Sequence, residues 1–311
     1  MDTLERSGPR PVSALTLLIT VAAGLLAAVA SGAGVLLRGD LTTRTFTTSR
    51  GSEADLLVNG IYRLNGQNIG AEGIGWDLVT LLLVVPALAL TVPALRAGSL
   101  RARLVVLGLL AYLAYQYIEY AVFLAYGPLY LVYIGTFSLS LFGIALLVGG
   151  IALDELPSRF GPRFPRRAMI GYGLFMALLL GGLWFPLVIR TIGVDDVPEL
   201  YGATTLVVPV FDLGVLLPLG IALAVTTQRR LPIGYLLGSV VIVKGLAMAS
   251  AIVAMLVVEW LATGQPQVPP IAIFGALAIA SGVIAWRLYG SLDRDVARSP
   301  LTTLPTSQQP A

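Results

Sequence analysis

The sequence predicts an all-α protein: a polytopic transmembrane helical bundle of about eight helices. Three observations carry that prediction. First, the 311 residues are 57% hydrophobic and only 12% charged, about half the charged share of a soluble domain. A mean hydropathy of +0.86 is more apolar surface than a soluble fold of this length hides, so the solvent is largely lipid. Second, eight apolar segments, near 12–37, 77–95, 103–126, 129–152, 168–189, 203–226, 232–258 and 270–289, each approach the roughly 20 residues a bilayer-crossing helix needs. Third, the arginines alternate between the two sides of those segments.

With the N-terminus inside, the cytoplasmic connections carry Arg6, Arg10, Arg96, Arg101, Arg103, Arg159, Arg163, Arg166, Arg167, Arg229, Arg230, Arg287, Arg294 and Arg298. The outer side carries Arg38, Arg44, Arg50, Arg63 and Arg190. Four of these five flank or lie in one long loop, where charge counts for less. The pattern predicts an N-in, C-in protein of a bacterial inner (plasma) membrane. A single lysine among so many arginines points to a GC-rich bacterial coding bias.

The elements follow in order. Residues 1–11 form a short cytoplasmic N-terminus and 12–298 the transmembrane domain. Arg6 and Arg10, an apolar run and Ala28-Val29-Ala30 resemble a secretory signal with its cleavage site. The run continues to Leu37, long for a signal peptide, so a retained first helix is expected. The outer loop 38–76, rich in Thr, Gly and Asn, is too short for its own core and is expected to cap the outer mouth. Its Arg38-Gly39-Asp40 tripeptide is read as chance. Trp76, Trp184, Trp260 and Trp286 are read as interface anchors at helix ends. The acidic run Asp195, Asp196 and Glu199 reads as a solvated loop. The tail 299–311, rich in Pro, Thr and Gln, reads as disordered.

Two halves of four helices can be laid on one another. Each second helix carries Leu-Val-Val-Pro, at 83–86 and 206–209, and a further proline, Pro93 or Pro218. Each third helix carries a charge about four turns in, Glu119 or Lys244. A 4+4 parallel repeat, related by an axis along the membrane normal, would set those two charges in matching positions. Arg-flanked apolar helices also resemble one another without any repeat.

The chain has no cysteine and no histidine. Disulfides, thiolate nucleophiles, iron–sulfur ligation, the usual zinc and haem ligands and Ser–His catalysis are excluded. No cofactor, metal site or catalytic residue is predicted, and no nucleic-acid partner, because the basic residues sit in short loops and form no stripe on a soluble face. What remains is a set of charges at bilayer depth. Lys244 is the only lysine, in an apolar stretch where an ammonium costs about 2.5–3.5 kcal/mol on insertion scales. Asp212, flanked by Pro209, Gly214 and Pro218, lies in a helix prone to break. Glu119 shares a polar-aromatic helical face with Tyr112, Tyr115, Gln116, Phe123 and Tyr126, and Tyr130 and Tyr133 lie at a similar level. The candidate substrate- or ion-binding residues are therefore Glu119, Asp212, Lys244, Tyr115 and Gln116, in a cavity lined by helices 3, 6 and 7 and open outward. The bland alternative is a buried lysine–carboxylate pair that only packs helices. A lysine in the seventh segment with a glutamate in the third is also the layout of a retinal protein. That reading is set aside because an eighth segment follows and no mid-membrane tryptophan is expected.

Several stretches resemble an uncharacterised group of bacterial multi-pass membrane proteins. They are Gly-Trp-Asp-Leu-Val-Thr at 75–80, Tyr-Gly-Pro-Leu-Tyr-Leu-Val-Tyr at 126–133, Thr-Thr-Leu at 204–206 with Asp-Leu-Gly at 212–214, and Val-Lys-Gly at 243–245. The resemblance spans most of residues 60–260. It implies membership of a membrane family of unknown function and adds Asp77 to the residues of interest. The functional expectation is a transporter of a small solute or ion. The alternative is a non-catalytic scaffold, sensor or assembly protein, and a lipid-acting enzyme ranks third. The lipid bilayer and an unknown solute or ion are the expected partners, with a homo-oligomer left open.

Overall fold

A computed structural model describes residues 11–48, 50–194, 197, 200 and 203–292. Residues 1–10, the tail 299–311 and the acidic residues Asp195, Asp196 and Glu199 lie outside them. Among the described residues eight helices are long and apolar enough to cross a membrane: α1 (Ala14–Leu36), α2 (Gln67–Arg96), α3 (Leu100–Phe123), α4 (Tyr130–Gly149), α5 (Arg166–Thr191), α6 (Val207–Gln228), α7 (Pro232–Thr263) and α8 (Val268–Gly290). The architecture is compatible with an integral, multi-pass membrane protein.

Two expectations need correction. The chain is not purely helical: between α1 and α2 lies an antiparallel hairpin of β1 (Thr43–Thr47) and β2 (Glu53–Leu57). Alternating Thr-Arg-Thr-Phe-Thr suits a two-faced strand, Thr45 donates to Asp55 across the pair at 2.8 Å, and Gly51 turns the chain at φ +83°. Asp40 does not present a free tripeptide. It accepts from the Asn59 amide at 2.6 Å and the Thr42 backbone N–H at 3.0 Å, and those bonds hold its carboxyl down at about 2.

The second correction is larger. Helix α2 begins at Gln67, not near 77, so the expected outer loop 38–76 ends about a turn after Tyr62. Its first turns carry Gly70, Gly73 and Gly75, which argue against a helix on intrinsic propensity. Packing reverses that argument. A Cβ on Gly75 would lie 2.4 Å from the Met255 backbone, so this glycine lets α2 and α7 approach closely, as small residues do between membrane helices.

Helix α7, 32 residues long, is the central post and packs on α2, α3, α6 and α8. Helix α3 is the most enclosed, with Leu104, Leu107, Leu110, Tyr112, Leu113 and Tyr117 fully buried. Helix α1 packs on α4 and α2, and α5 packs on α6, where Gly173 and Gly220 let the backbones cross. Helices α2 and α6 each contain one π-helical turn, Thr80–Val84 and Asp212–Leu216, ahead of Pro86 and Pro218. Proline cannot donate and crowds the preceding turn. A widened turn absorbs the mismatch, with Val85 N–H bonded to Thr80 and Leu217 N–H to Asp212. The two Leu-Val-Val-Pro runs lie differently about these turns. Pro86 follows its π turn while Pro209 precedes the other.

The arginines of the end away from the hairpin have a structural duty besides charge. Arg103, starting α3, donates to the Gly150 carbonyl that ends α4. Arg166, starting α5, donates to Thr227 and Gln228 at the end of α6. Arg101 donates to Tyr289 at 2.8 Å at the end of α8. Each satisfies carbonyls that a helix terminus leaves unpaired. The packing yields a direct test: Gly75→Ala should destabilise the purified protein by about 1–3 kcal/mol and lower its melting temperature in detergent. Gly182→Ala, with nothing within 4 Å of the added methyl, should leave it unchanged.

Candidate functional site

The site forms where four helices meet in the half of the bundle nearest the hairpin. Helix α3 presents Tyr115, Gln116 and Glu119 on one face by their helical spacing. Helix α7 supplies Lys244, α5 supplies Trp184, and α6 supplies Asp212 at the first residue of its π turn. The structure brings all five sequence-predicted residues to one cavity.

Tyr115 is the hub. Its hydroxyl donates to one oxygen of Asp212 at 2.5 Å, and the Trp184 indole N–H donates to the other at 2.7 Å. Its ring carries the ammonium of Lys244, whose Nζ stands 4.1 Å from the ring centroid. Among the described residues Lys244 forms no ion pair with either Asp212 or Glu119. The partner expected for the lysine was a carboxylate; the partner found is an aromatic face. A cation over a desolvated aromatic ring is worth about 2 kcal/mol or more. Asp212 was expected well inside its helix. It sits in the second turn, because α6 begins at Val207.

Glu119 and Gln116 differ from Asp212 in having no protein partner for key atoms. Oε1 of Glu119 and both Oε1 and Nε2 of Gln116 are buried without a hydrogen bond, although the two side chains are 7% and 1% exposed. Such groups cost free energy unless something else satisfies them. Both line a cavity of about 440 Å³, within the range of small-molecule sites. Its α2–α3–α6 side is polar and aromatic, with Glu72, Trp76, Gln116, Glu119, Tyr120 and Asp212. Its α5–α7–α8 side is largely apolar, with Leu180, Leu183, Ile252, Phe274 and Leu277, interrupted by Lys244, Trp184 and Tyr172. The cavity is thus lined from six helices, three more than expected.

Sequence reasoning missed Glu72, Trp76 and Trp184. Glu72 fell in the stretch read as loop, and extending α2 back to Gln67 would have set it one turn from Trp76 on the same face. Trp76 and Trp184 were read as interface anchors, but both line the cavity, so the absence of inward tryptophan does not hold. Trp260 and Trp286 are 38% and 76% exposed, as anchors are.

Asp77, singled out by resemblance, belongs to a different cluster. It accepts from the Tyr62 hydroxyl, and the Tyr120 hydroxyl lies 3.4 Å from its other oxygen and 3.0 Å from the Gly73 carbonyl. Burial, with Asp77 alongside, pushes the Tyr62 phenol well up and keeps it a donor. Gly34 makes room for the carboxyl: a Cβ there would fall 1.5 Å from it. Asp77 is 1% exposed, does not line the cavity, and ties the extramembrane segment to α1, α2 and α3.

No protein-family model, curated protein or solved structure matches this chain. The site therefore has to be read from its own chemistry. Tyr115→Phe keeps the ring under Lys244 and removes the donor to Asp212, so it should cost about 1–3 kcal/mol in thermal unfolding. Tyr115→Leu removes both contacts and should cost more; equal losses would show that the cation–ring contact contributes nothing.

Proposed function

We propose that the protein is a multi-pass carrier for a small solute or ion, oriented N-in and C-in in a bacterial plasma membrane, without catalysis or cofactor. The supporting observation is the cavity itself: it reaches Asp212 and Lys244 and holds Glu119 Oε1 and the Gln116 amide, both buried without a hydrogen bond. Glu119, Gln116, Asp212, Lys244 and Tyr115 bind the solute. The π turn and Pro218 in α6 are the flexible point next to the site. Helices α5 and α6 pack on one another, and α5 has few other neighbours. We assign that pair the movement that exchanges access, with the Asp212 bonds to Tyr115 and Trp184 as its latch. A bound solute that competes for Tyr115 or Asp212 loosens the latch, which couples occupancy to opening.

The distribution of arginines supports the orientation. The two π turns, each ahead of a proline, support a 4+4 parallel repeat registered on Thr80 and Asp212. Membership of the uncharacterised bacterial membrane family stays part of the same proposal. The alternative, a scaffold or assembly protein with charges that only pack helices, needs a dry and fully paired site. The unpartnered amide and carboxyl weigh against it.

The native chain has no cysteine, so single cysteines report without background. In intact cells an impermeant thiol reagent should label Thr45→Cys in the hairpin and Met248→Cys on the cavity wall, and should label Ser158→Cys only after permeabilisation. Labelling of Ser158→Cys alone would reverse the orientation. A Met248→Cys that stays unreactive in open membranes would make the cavity dry and favour the scaffold.

A further inference from the structure

The walls of the cavity define a chemical class of ligand. Three carboxyl groups, on Glu72, Glu119 and Asp212, face one ammonium, on Lys244. Asp212 is already held by Tyr115 and Trp184, and Lys244 already lies on the Tyr115 ring. The groups left for a ligand are the Glu72 carboxyl, Glu119 Oε1 and the Gln116 amide, the last two buried without a hydrogen bond. Around them stand the aromatic rings of Trp76, Tyr120, Phe123 and Trp184. Carboxylates among aromatic faces recognise a diffuse positive charge by Coulomb attraction and cation–π contact. Among the described residues no three acidic side chains converge closely enough to hold a metal ion, so the arrangement suits an organic cation.

The opposite wall sets the rest of the ligand. Leu180 and Leu183 of α5 and Phe274 and Leu277 of α8 face the cavity with no polar group among them. At its floor α5 and α8 are joined by a hydrogen bond of 3.1 Å between Ser281 and Tyr172. They do not otherwise form a packed helix pair, and Leu183, which lines the cavity, is about half exposed. Between α5 and α8 this wall of the cavity therefore lacks close helix packing.

We infer that the solute is an apolar organic cation, drawn sideways from the hairpin-side leaflet between α5 and α8, with its charge at Glu119 and Gln116 and its apolar body against α5, α7 and α8. The inference rests on the cavity being the solute site and specifies what that site takes. Such a molecule partitions into the leaflet before it binds, so its concentration at the opening exceeds that in water.

The test uses two probes of the same shape and opposite charge, tetraphenylphosphonium and tetraphenylborate, with purified full-length protein in nanodiscs. Saturable tetraphenylphosphonium binding is expected, weakened at least tenfold by Glu119→Gln and largely kept by Glu119→Asp. Tetraphenylphosphonium, and not tetraphenylborate, should protect Met248→Cys from a thiol reagent. Elution as a single folded species qualifies each variant. Equal uptake of both probes, indifferent to Glu119→Gln, is partition into lipid and overturns the inference. Preference for tetraphenylborate, lost in Lys244→Met, assigns the site to anions and also overturns it. If Met248→Cys reacts and neither probe protects it, the ligand class is wrong while the cavity reading stands. If Met248→Cys does not react at all, the cavity reading fails and this inference with it.

Discussion

The hairpin-side half of the bundle turns on how one lysine is accommodated at bilayer depth. Among the described residues Lys244 forms no ion pair with a carboxylate. It lies on the face of Tyr115, and the same tyrosine donates to Asp212. One side chain of α3 thereby joins α7 to α6, and Trp184 extends the link to α5. A direct Lys–Asp pair would have neutralised both charges and closed the space between α7 and α6. Here the tyrosine bridges Lys244 and Asp212 instead, and all three line the cavity. Glu119, one turn along α3 from Tyr115, and Gln116, the next residue, line that cavity with buried atoms that make no hydrogen bond.

The two acidic centres show how the same residue type serves different ends. Asp77 is surrounded by tyrosines and by the small cleft at Gly34. It has no room for a ligand, and its bonds run to the segment that leads from the hairpin into α2. Asp212 sits on a π turn beside a cavity, with each oxygen taken by one donor. A helix that can relax from π to α geometry re-aims such a side chain with little motion elsewhere. Rigid attachment at Asp77 and adjustable attachment at Asp212 fit a bundle in which α1–α4 stay still and α5–α6 move.

Much of this was legible in the sequence. Eight apolar segments and a lone lysine are coarse signals, and bilayer thickness makes them strong. The five candidate residues meet because charges and amides in a membrane helix are driven to the interior. The failures have local causes. The glycines at 70, 73 and 75 weaken helix propensity, and only the Met255 backbone opposite Gly75 explains why a helix forms there. The hairpin was hidden because a strand pair of this size has no core of its own. It is held by Leu57, Tyr62 and Ile74, the last of which lies on a helical turn that its glycine-rich sequence disguises as loop. The aromatic partner of Lys244 was invisible because opposite charges are the simplest guess for a pair. Helical spacing gives the face that Tyr115 occupies but not what crosses it.

The most direct measurement compares the folding of Lys244→Met, Asp212→Asn and the double variant by monodispersity and thermal unfolding after detergent extraction. If Tyr115 is the hub, Lys244→Met stays folded, because no buried carboxylate loses a partner. Asp212→Asn is the more damaging change, since an asparagine offers one acceptor where two donors converge, and the double variant gains nothing over Asp212→Asn. Collapse of Lys244→Met with recovery in the double variant would contradict the account. That pattern, about 3–5 kcal/mol lost and then regained, would mean a direct structural ion pair in place of a binding site.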